Sequence, residues 1–156
     1  MKRIIIIILL WALVFSCMVL IFTMSSEPAV VSSETSGNTL RAILKIVYPG
    51  FRDLEESEQQ PIIDKYQHFI RKTAHFTVYT LLGILVSLAM AQHTKSFLLP
   101  SYLIGTLYAV SDEIHQLYVP GRSGQISDVL LDSAGVLLGC LLIFILYKLI
   151  KKKRAN

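Results

Sequence analysis

The stretch IIIIILLWALVFSCMVLIFTM, residues 4–24, indicates the fold class of this chain because it contains no charged side chain. At about 1.5 Å per residue it would form a helix roughly 31 Å long, enough to cross a hydrocarbon core of about 30 Å. A signal peptide also begins with basic residues before an apolar run, but its apolar core spans only about 7 to 15 residues. We therefore expect residues 1–24 to form a retained transmembrane helix.

Three further apolar stretches follow, and 53% of all residues are hydrophobic. Because the apolar residues form long blocks rather than periodic stripes, the composition excludes an ordinary soluble domain. The sequence predicts an all-α polytopic membrane protein with four transmembrane helices. The second, third and fourth spans are residues 74–91, 97–118 and 129–150.

On one side of these spans the short flanking segments hold eight lysine and arginine residues and no acid. The positive-inside rule then places both termini and the loop that contains Lys95 in the cytoplasm, and residues 25–71 and 119–128 outside. The net charge of +4 follows from this topology, so it does not indicate a nucleic-acid partner. We expect the basic tail, residues 151–156, to contact anionic lipid headgroups. The flanking basic residues are Lys2, Arg3, Lys95, Lys148, Lys151, Lys152, Lys153 and Arg154.

The extracytoplasmic segment, residues 25–71, opens with serine, glutamate and proline, and its first dozen residues predict a flexible loop. Leu40, Ile43, Leu44 and Val47 then recur at helical spacing before a Pro-Gly pair, which predicts a short amphipathic helix. This helix is either a lid over the bundle or an interfacial helix on the outer leaflet. A further helix is expected to begin at Pro61 and continue into the second span.

Polar residues concentrate at the outer ends of the last three spans and in the loop that joins the third to the fourth. Spacings of three and four residues place those of the second span on one helical face, with His68 one turn earlier. Asp128 and Asp132 likewise share a face of the fourth span. The set comprises Lys72, His75 and Tyr79, then Asp112, Glu113 and Gln116, then Arg122, Asp128 and Asp132.

Ionisable groups at this depth are costly unless they are paired or hydrated, so a functional site is the first hypothesis. The alternative is a structural network in which Arg122 or Lys72 pairs with an acid and fixes the register of the helices. Asp128 could also simply cap its helix. Cys17 and Cys140 lie inside apolar spans, where a disulfide is not expected.

The pattern Lys72-x-x-His75, Asp112-Glu113-x-x-Gln116, Pro120-Gly121-Arg122 and Asp128, followed by a glycine-containing span, resembles the VanZ-like family of bacterial membrane proteins. The resemblance covers roughly residues 70–140, and residues 25–60 match no pattern. It implies a small multi-span protein and, by analogy with the family's namesake, lowered susceptibility to teicoplanin-type glycopeptide antibiotics. The resemblance does not imply a particular biochemical activity, because none is agreed for the family's namesake. The chain departs from the family pattern at Asp132, where many members have Asn.

The chemistry of the set supports binding of an anionic group. Lys72 and Arg122 can bind phosphate or carboxylate, and Tyr79, Asp112, Gln116 and Asp128 complete the predicted ligand-binding set with His75 and Glu113. The expected partner is a membrane lipid, either a polyprenyl phosphate or another anionic headgroup.

An enzyme acting on such a lipid would use His75, Glu113 and Asp112 as its acid and base groups. Acids together with His75 suit a hard divalent ion, but no tight metal-ligand motif such as HExxH is present, so neither a metal nor another cofactor is predicted. No nucleophile elbow is present either, which favours a binding protein over an enzyme. A transporter is disfavoured because the polar groups occupy one end of the spans only.

Overall fold

The computed structural model describes residues 1–155, and in this part of the chain it contains five α-helices and no β-strand. The predicted all-α class is therefore confirmed. A short 3-10 turn, Pro49–Arg52, separates the second helix from the third. The helices are α1 (Lys2–Ser25), α2 (Ala29–Val47), α3 (Glu56–Met90), α4 (Leu98–Gln116) and α5 (Ile126–Ala155).

Three of these helices are long and apolar enough to cross a membrane: Lys2–Ser25, Glu56–Met90 and the Ile126–Lys153 part of α5. They coincide with the first, second and fourth predicted spans. The third predicted span coincides with α4, which has 19 residues but does not reach the same apolarity, because Asp112 and Glu113 lie in its last two turns. Four transmembrane helices are thus not confirmed, whereas three helices compatible with a multi-pass membrane protein are.

The two ends of the helix bundle differ in their residues. At one end Arg3 donates to the carbonyl oxygen of Gln92 over 2.8 Å, and Phe97 packs edge-on against Tyr147 near the end of α5. We call this the basic end, because the flanking lysines and arginines lie there. At the opposite end, the polar end, Ser25 lies within hydrogen-bonding distance of the last turns of α4.

Helix α3 is the centre of the bundle and packs against each of the other four helices. Its crossing with α5 is close because glycines face backbone there: a Cβ at Gly135 would lie 2.6 Å from the carbonyl oxygen of Phe76. Small residues of this kind let two membrane helices approach each other. The main core cluster consists of Val14, Cys17, Ile21, Tyr79, Leu82, Val86, Ala89, Ala109, Val136 and Cys140.

The flexible loop expected over the first dozen residues of 25–71 is wrong, because α2 already begins at Ala29. The buried face of its first turns consists of Ser32, Ser36 and Gly37, so it shows no apolar periodicity. These small residues allow close packing on α3, where a Cβ at Gly37 would lie 3.1 Å from a methyl group of Ile63. The residues of the predicted amphipathic helix lie in the second half of α2, so a separate amphipathic helix is not confirmed.

The expected start of a helix at Pro61 is also wrong, since α3 begins five residues earlier, at Glu56. Glu55 and Glu58 form a reciprocal capping box, in which the backbone N–H of Glu55 donates to the Glu58 carboxylate over 3.1 Å. This cap satisfies amides that a helix start otherwise leaves without partners. At roughly 52 Å, α3 is longer than a hydrocarbon core of about 30 Å.

Candidate functional site

The middle of α3, the last turns of α4, the first turns of α5 and the loop between the last two enclose a small polar cavity of about 30 Å³. A volume of this size holds about one water molecule. Six residues predicted as ligand-binding line the cavity, so the structure brings them together from four separate parts of the sequence. The lining consists of Arg71, Lys72, His75, Glu113, Gln116, Arg122, Asp128, Leu131 and Asp132.

Lys72 and Asp128 form an ion pair across α3 and α5, with 2.7 Å between Nζ and Oδ1. Each side chain is about 30% exposed, at 30% and 31%, so solvent screens the pair only partly. Among the structural pairings that the sequence leaves open, this is the one that forms. Asp128 also lies in the first turn of α5, where its charge complements the helix dipole.

Each of the three guanidinium nitrogens of Arg122 donates a hydrogen bond to another part of the protein. Its Nε donates to the carbonyl oxygen of Glu27 over 2.9 Å, and its Nη2 donates to that of Met24 over 3.1 Å. Its Nη1 donates to Oε1 of Gln116 over 3.1 Å. Burial lowers the pKa of this guanidinium, and the nearby charge of Arg71 acts in the same direction. Arg122 therefore connects the end of α1 to the α4–α5 loop.

The turn before Arg122 depends on a glycine. Gly121 has a φ of +75°, which lies in the left-handed region that other residues rarely adopt. The carbonyl oxygen of the preceding Pro120 accepts a 3.1 Å hydrogen bond from the backbone N–H of Ala29, at the start of α2. This turn places the Arg122 guanidinium between α1 and α4.

Glu113 is buried in the last turns of α4 and accepts a hydrogen bond from the backbone N–H of Gln125, just before α5. It therefore satisfies an amide at the entrance to that helix. Glu113 also lines the cavity.

Two of the predicted residues lie deeper than the cavity. Asp112 is 4% exposed, and its Oδ2 accepts hydrogen bonds from Ser25 Oγ over 2.8 Å and from Gln116 Nε2 over 3.2 Å. Tyr79 is fully buried, and its hydroxyl has no hydrogen-bond partner. Neither residue lines the cavity.

Asp132 was left out of the predicted ligand-binding set, but it is part of the site. It is 2% exposed, and its Oδ2 lies 3.8 Å from Nδ1 of His75. The i, i+4 relation to Asp128 already indicated that it faces the same way. What the sequence does not give is the contact with His75, because that contact depends on how closely α5 packs on α3.

Arg71 was missed altogether. Its Nη2 lies 2.9 Å from Nδ1 of His68, and its Nη1 donates to Ser33 Oγ over 3.4 Å. In the described part of the chain no carboxylate lies within 4.0 Å of it. Its position four residues before His75 was the signal that could have identified it.

A second cleft, of about 90 Å³, adjoins the cavity on the side of the α4–α5 loop. Arg71 and Arg122 line both spaces, and Ser123 and Gln125 line the cleft. All three nitrogens of Arg122 donate to protein acceptors, whereas among the described residues the Nε of Arg71 has no hydrogen-bond partner, so Arg71 offers a donor in the cleft.

The sequence from α1 to the middle of α5 is that of a known membrane-protein family, since the family model VanZ/LLP1 matches residues 9–147. The chain belongs to the VanZ/LLP1 family. No curated protein and no solved structure matches it. The VanZ/LLP1 match extends beyond residues 70–140, the range of the resemblance noted from the motifs. It includes α1 and α2, so the segment 25–60, which matched no pattern by inspection, belongs to the family region.

Proposed function

We propose that this VanZ/LLP1 protein binds the phosphate of an anionic cell-envelope lipid or cell-wall precursor at the polar end of its helix bundle. Binding of such a ligand would change what glycopeptides meet at the cell surface and so lower susceptibility to teicoplanin-type antibiotics. The single observation that carries the proposal is Arg71, a half-buried guanidinium without a carboxylate partner that lines the 90 Å³ cleft. A guanidinium in this position can bind a phosphate through two parallel hydrogen bonds.

The cations contribute differently from what the sequence predicts. Lys72 is neutralised by Asp128, and Arg122 is occupied by two backbone carbonyls and Gln116. Their positive charge still contributes to the local field, but Arg71 supplies the free donors. The proposed ligand-binding set therefore consists of Arg71 together with the six predicted residues that line the cavity.

The surroundings of the cleft suit a lipid. A cleft of 90 Å³ has room for about three water molecules, and hence for a phosphate-sized group. An apolar groove of about 240 Å³ lies between α4 and α5, lined by Val110, Ile114 and Leu117 among others. Gln125 borders both the cleft and the groove, so one molecule can place its phosphate in the cleft and its hydrocarbon chain in the groove.

The proposal includes a topology. Helix α4 is about 28 Å long and packs against α3 and α5, so it crosses the bilayer beside them as a fourth span. Both termini and the basic end are cytoplasmic, and the polar end faces outward. The exposed apolar side chains of Ile43, Ile46 and Val47 on α2 then lie at the outer membrane interface.

The test is lipid retention by purified full-length protein, measured by native mass spectrometry with phosphatidylglycerol and a polyprenyl phosphate as probes. Arg71→Ala is expected to weaken retention about ten- to a hundredfold, the effect of a lost charge-assisted contact. Arg52→Ala is the matched control, because Arg52 is exposed and bonds only to the backbone of Lys45. Normal retention and normal teicoplanin susceptibility in Arg71→Ala would contradict the proposal.

A second variant separates binding from catalysis on the lipid. Glu113→Gln keeps the shape of the side chain and an oxygen for the Gln125 amide, but it abolishes proton transfer. Unchanged retention and unchanged resistance are expected for a binding protein. Lost resistance with unchanged retention would instead indicate an enzyme that uses His75, Glu113 or Asp112.

A further inference from the structure

We propose that His75, Asp112 and Asp132 form a binding site for one divalent transition-metal ion, of the Zn²⁺ or Mn²⁺ kind, beneath the polar cavity. One ligand atom from each of the three side chains lies within 4.8 Å of the other two. They come from three different helices, α3, α4 and α5, so the fold brings them together. The proposal goes beyond lipid binding and does not depend on it.

Unsatisfied oxygen atoms are the observation that calls for a ligand at this place. Oδ1 of Asp112 and Oδ1 of Asp132 are both buried and have no hydrogen-bond partner, and the same holds for the hydroxyl of Tyr79. Asp112 and Asp132 are 4% and 2% exposed, so bulk solvent does not satisfy them. Buried polar atoms in native proteins are nearly always paired, and bound ions are one of the recognised explanations of the exceptions.

The distances suit a shared ion. Two atoms that bind one ion at about 2.0 to 2.2 Å are roughly 3.3 to 4.4 Å apart, depending on the angle between them. The 3.8 Å between His75 Nδ1 and Asp132 Oδ2 lies in this range, and it is too long for a direct hydrogen bond. At the 4.8 Å limit for the three atoms, each would have to move by no more than about 0.6 to 0.8 Å to reach such a ligand distance.

The charge of the site also favours a divalent cation. Two carboxylates buried close together repel each other, and no lysine or arginine of the described residues lies within 4.0 Å of either one: Lys72 pairs with Asp128, and Arg122 donates to backbone carbonyls and Gln116. One divalent ion neutralises two carboxylates, while a neutral imidazole completes the ligand set. The competing occupant is a proton shared by the two acids.

The ligand types point to the class of metal. Mg²⁺ and Ca²⁺ prefer oxygen ligands only, whereas an imidazole with two carboxylates is typical of Zn²⁺ and Mn²⁺ sites. Hydrogen bonds to Asp112 from Ser25 and Gln116 hold that carboxylate in place, as partners of metal ligands commonly do. His75 and Asp132 also line the 30 Å³ cavity, which leaves room for one water as a further ligand.

The test is a metal titration of full-length protein without a polyhistidine tag, stripped with a chelator in detergent and measured without added lipid. Titration calorimetry and elemental analysis after desalting are expected to give one equivalent of Zn²⁺ or Mn²⁺ per chain. Asp132→Leu removes both oxygens at similar volume and is expected to weaken binding at least a hundredfold, because a direct ligand contributes more than the partners of a ligand do. Asp64→Leu, the same change at an exposed acid of α3, is expected to bind like the wild type.

The proposal is overturned, and a shared proton favoured, if the wild type binds neither Zn²⁺ nor Mn²⁺ at one equivalent. The same conclusion follows if Asp132→Leu binds the metal with the affinity of the wild type. If Asp132→Leu does not fold, Asp132→Asn replaces it, with binding expected to be about tenfold weaker; unchanged affinity would again overturn the proposal. Lipid retention in Arg71→Ala is measured separately, so either proposal can fail while the other stands.

Discussion

Arg122 connects three segments of the chain at the polar end of the bundle. Its donors are directed at Met24, Glu27 and Gln116, which belong to the end of α1, the α1–α2 connection and the end of α4. A planar guanidinium can reach several acceptors at once, and a lysine ammonium at the same place cannot reproduce that geometry. Arg122, which the sequence predicts to be a ligand-binding residue, thus has a structural role.

We expect Arg122→Lys to destabilise the protein by about 2 kcal/mol, because two carbonyl acceptors at a half-buried place lose a charged donor. For a chain of this length that corresponds to a midpoint of thermal unfolding lower by roughly 4 to 8 °C in detergent. Arg52→Lys serves as the control, since Arg52 is exposed and makes a single hydrogen bond. An unchanged midpoint in Arg122→Lys would show that the three hydrogen bonds do not stabilise the fold.

The residues of the polar end could be predicted as a group, because the spacing of Lys72, His75 and Tyr79 places them on one face of a helix. Their partners could not. The Lys72–Asp128 pair, the proximity of His75 to Asp132 and the lack of a carboxylate beside Arg71 all depend on how α3 and α5 are rotated against each other. Periodicity gives the face of a helix, but it does not give which side chain on a facing helix lies opposite.

At the scale of the helix, the glycines of α5 allow a close crossing with α3. These two helices meet through glycines, and at Gly139 an added Cβ would collide with the carbonyl oxygen of Thr80 and lie 2.8 Å from the amide nitrogen of Ile84. A close backbone approach of this kind replaces interdigitating side chains in membrane bundles. It also sets the distance between His75 on α3 and Asp132 on α5.

Gly139→Ala is expected to separate α3 from α5 and to cost about 1 to 3 kcal/mol, the usual effect of overpacking, although alanine favours an isolated helix more than glycine does. The thermal unfolding midpoint in detergent should fall. Leu138→Ala, on the exposed face of the same turn, should have the smaller effect. A midpoint that rises in Gly139→Ala would mean that helix propensity outweighs packing at this crossing.

The first turns of helix α2 are helical because of tertiary packing rather than local sequence. Its first turns are predicted as a loop because their buried face consists of serine and glycine, which carry no hydrophobic signal. Packing on α3 makes them helical, since short side chains allow the backbones to approach closely. Tertiary context overrides local propensity here.

At the scale of the whole molecule, basic and acidic residues are concentrated at opposite ends of the helix bundle. The basic end brings the N-terminus, the α3–α4 connection and the last turns of α5 together, as the contact of Arg3 with Gln92 and the packing of Phe97 on Tyr147 show. The polar end contains the four acids beyond residue 71. In the proposed topology the basic end is therefore cytoplasmic.

We expect single cysteines introduced at Ser123 and at Lys95 to differ in reactivity towards a membrane-impermeant thiol reagent applied to intact cells. Ser123 lies exposed at the polar end and should be labelled, whereas Lys95 lies at the basic end and should not. The native Cys17 and Cys140 are buried and give the background of the measurement. Labelling at Lys95 without labelling at Ser123 would reverse the orientation and place the site in the cytoplasm.

The sequence by itself determined the helical class, the apolar blocks of α1, α3 and α5 and the concentration of ionisable groups at one end. These properties follow from composition and from periodicity along one chain. Only the tertiary structure decided that Arg122 is bonded to protein, that Arg71 has no acid partner and that His75, Asp112 and Asp132 converge. The physical reason is that the pairing, burial and distances of side chains depend on how separate helices are rotated and how closely they approach. Small residues permit a close approach, but the local sequence does not specify the arrangement that results.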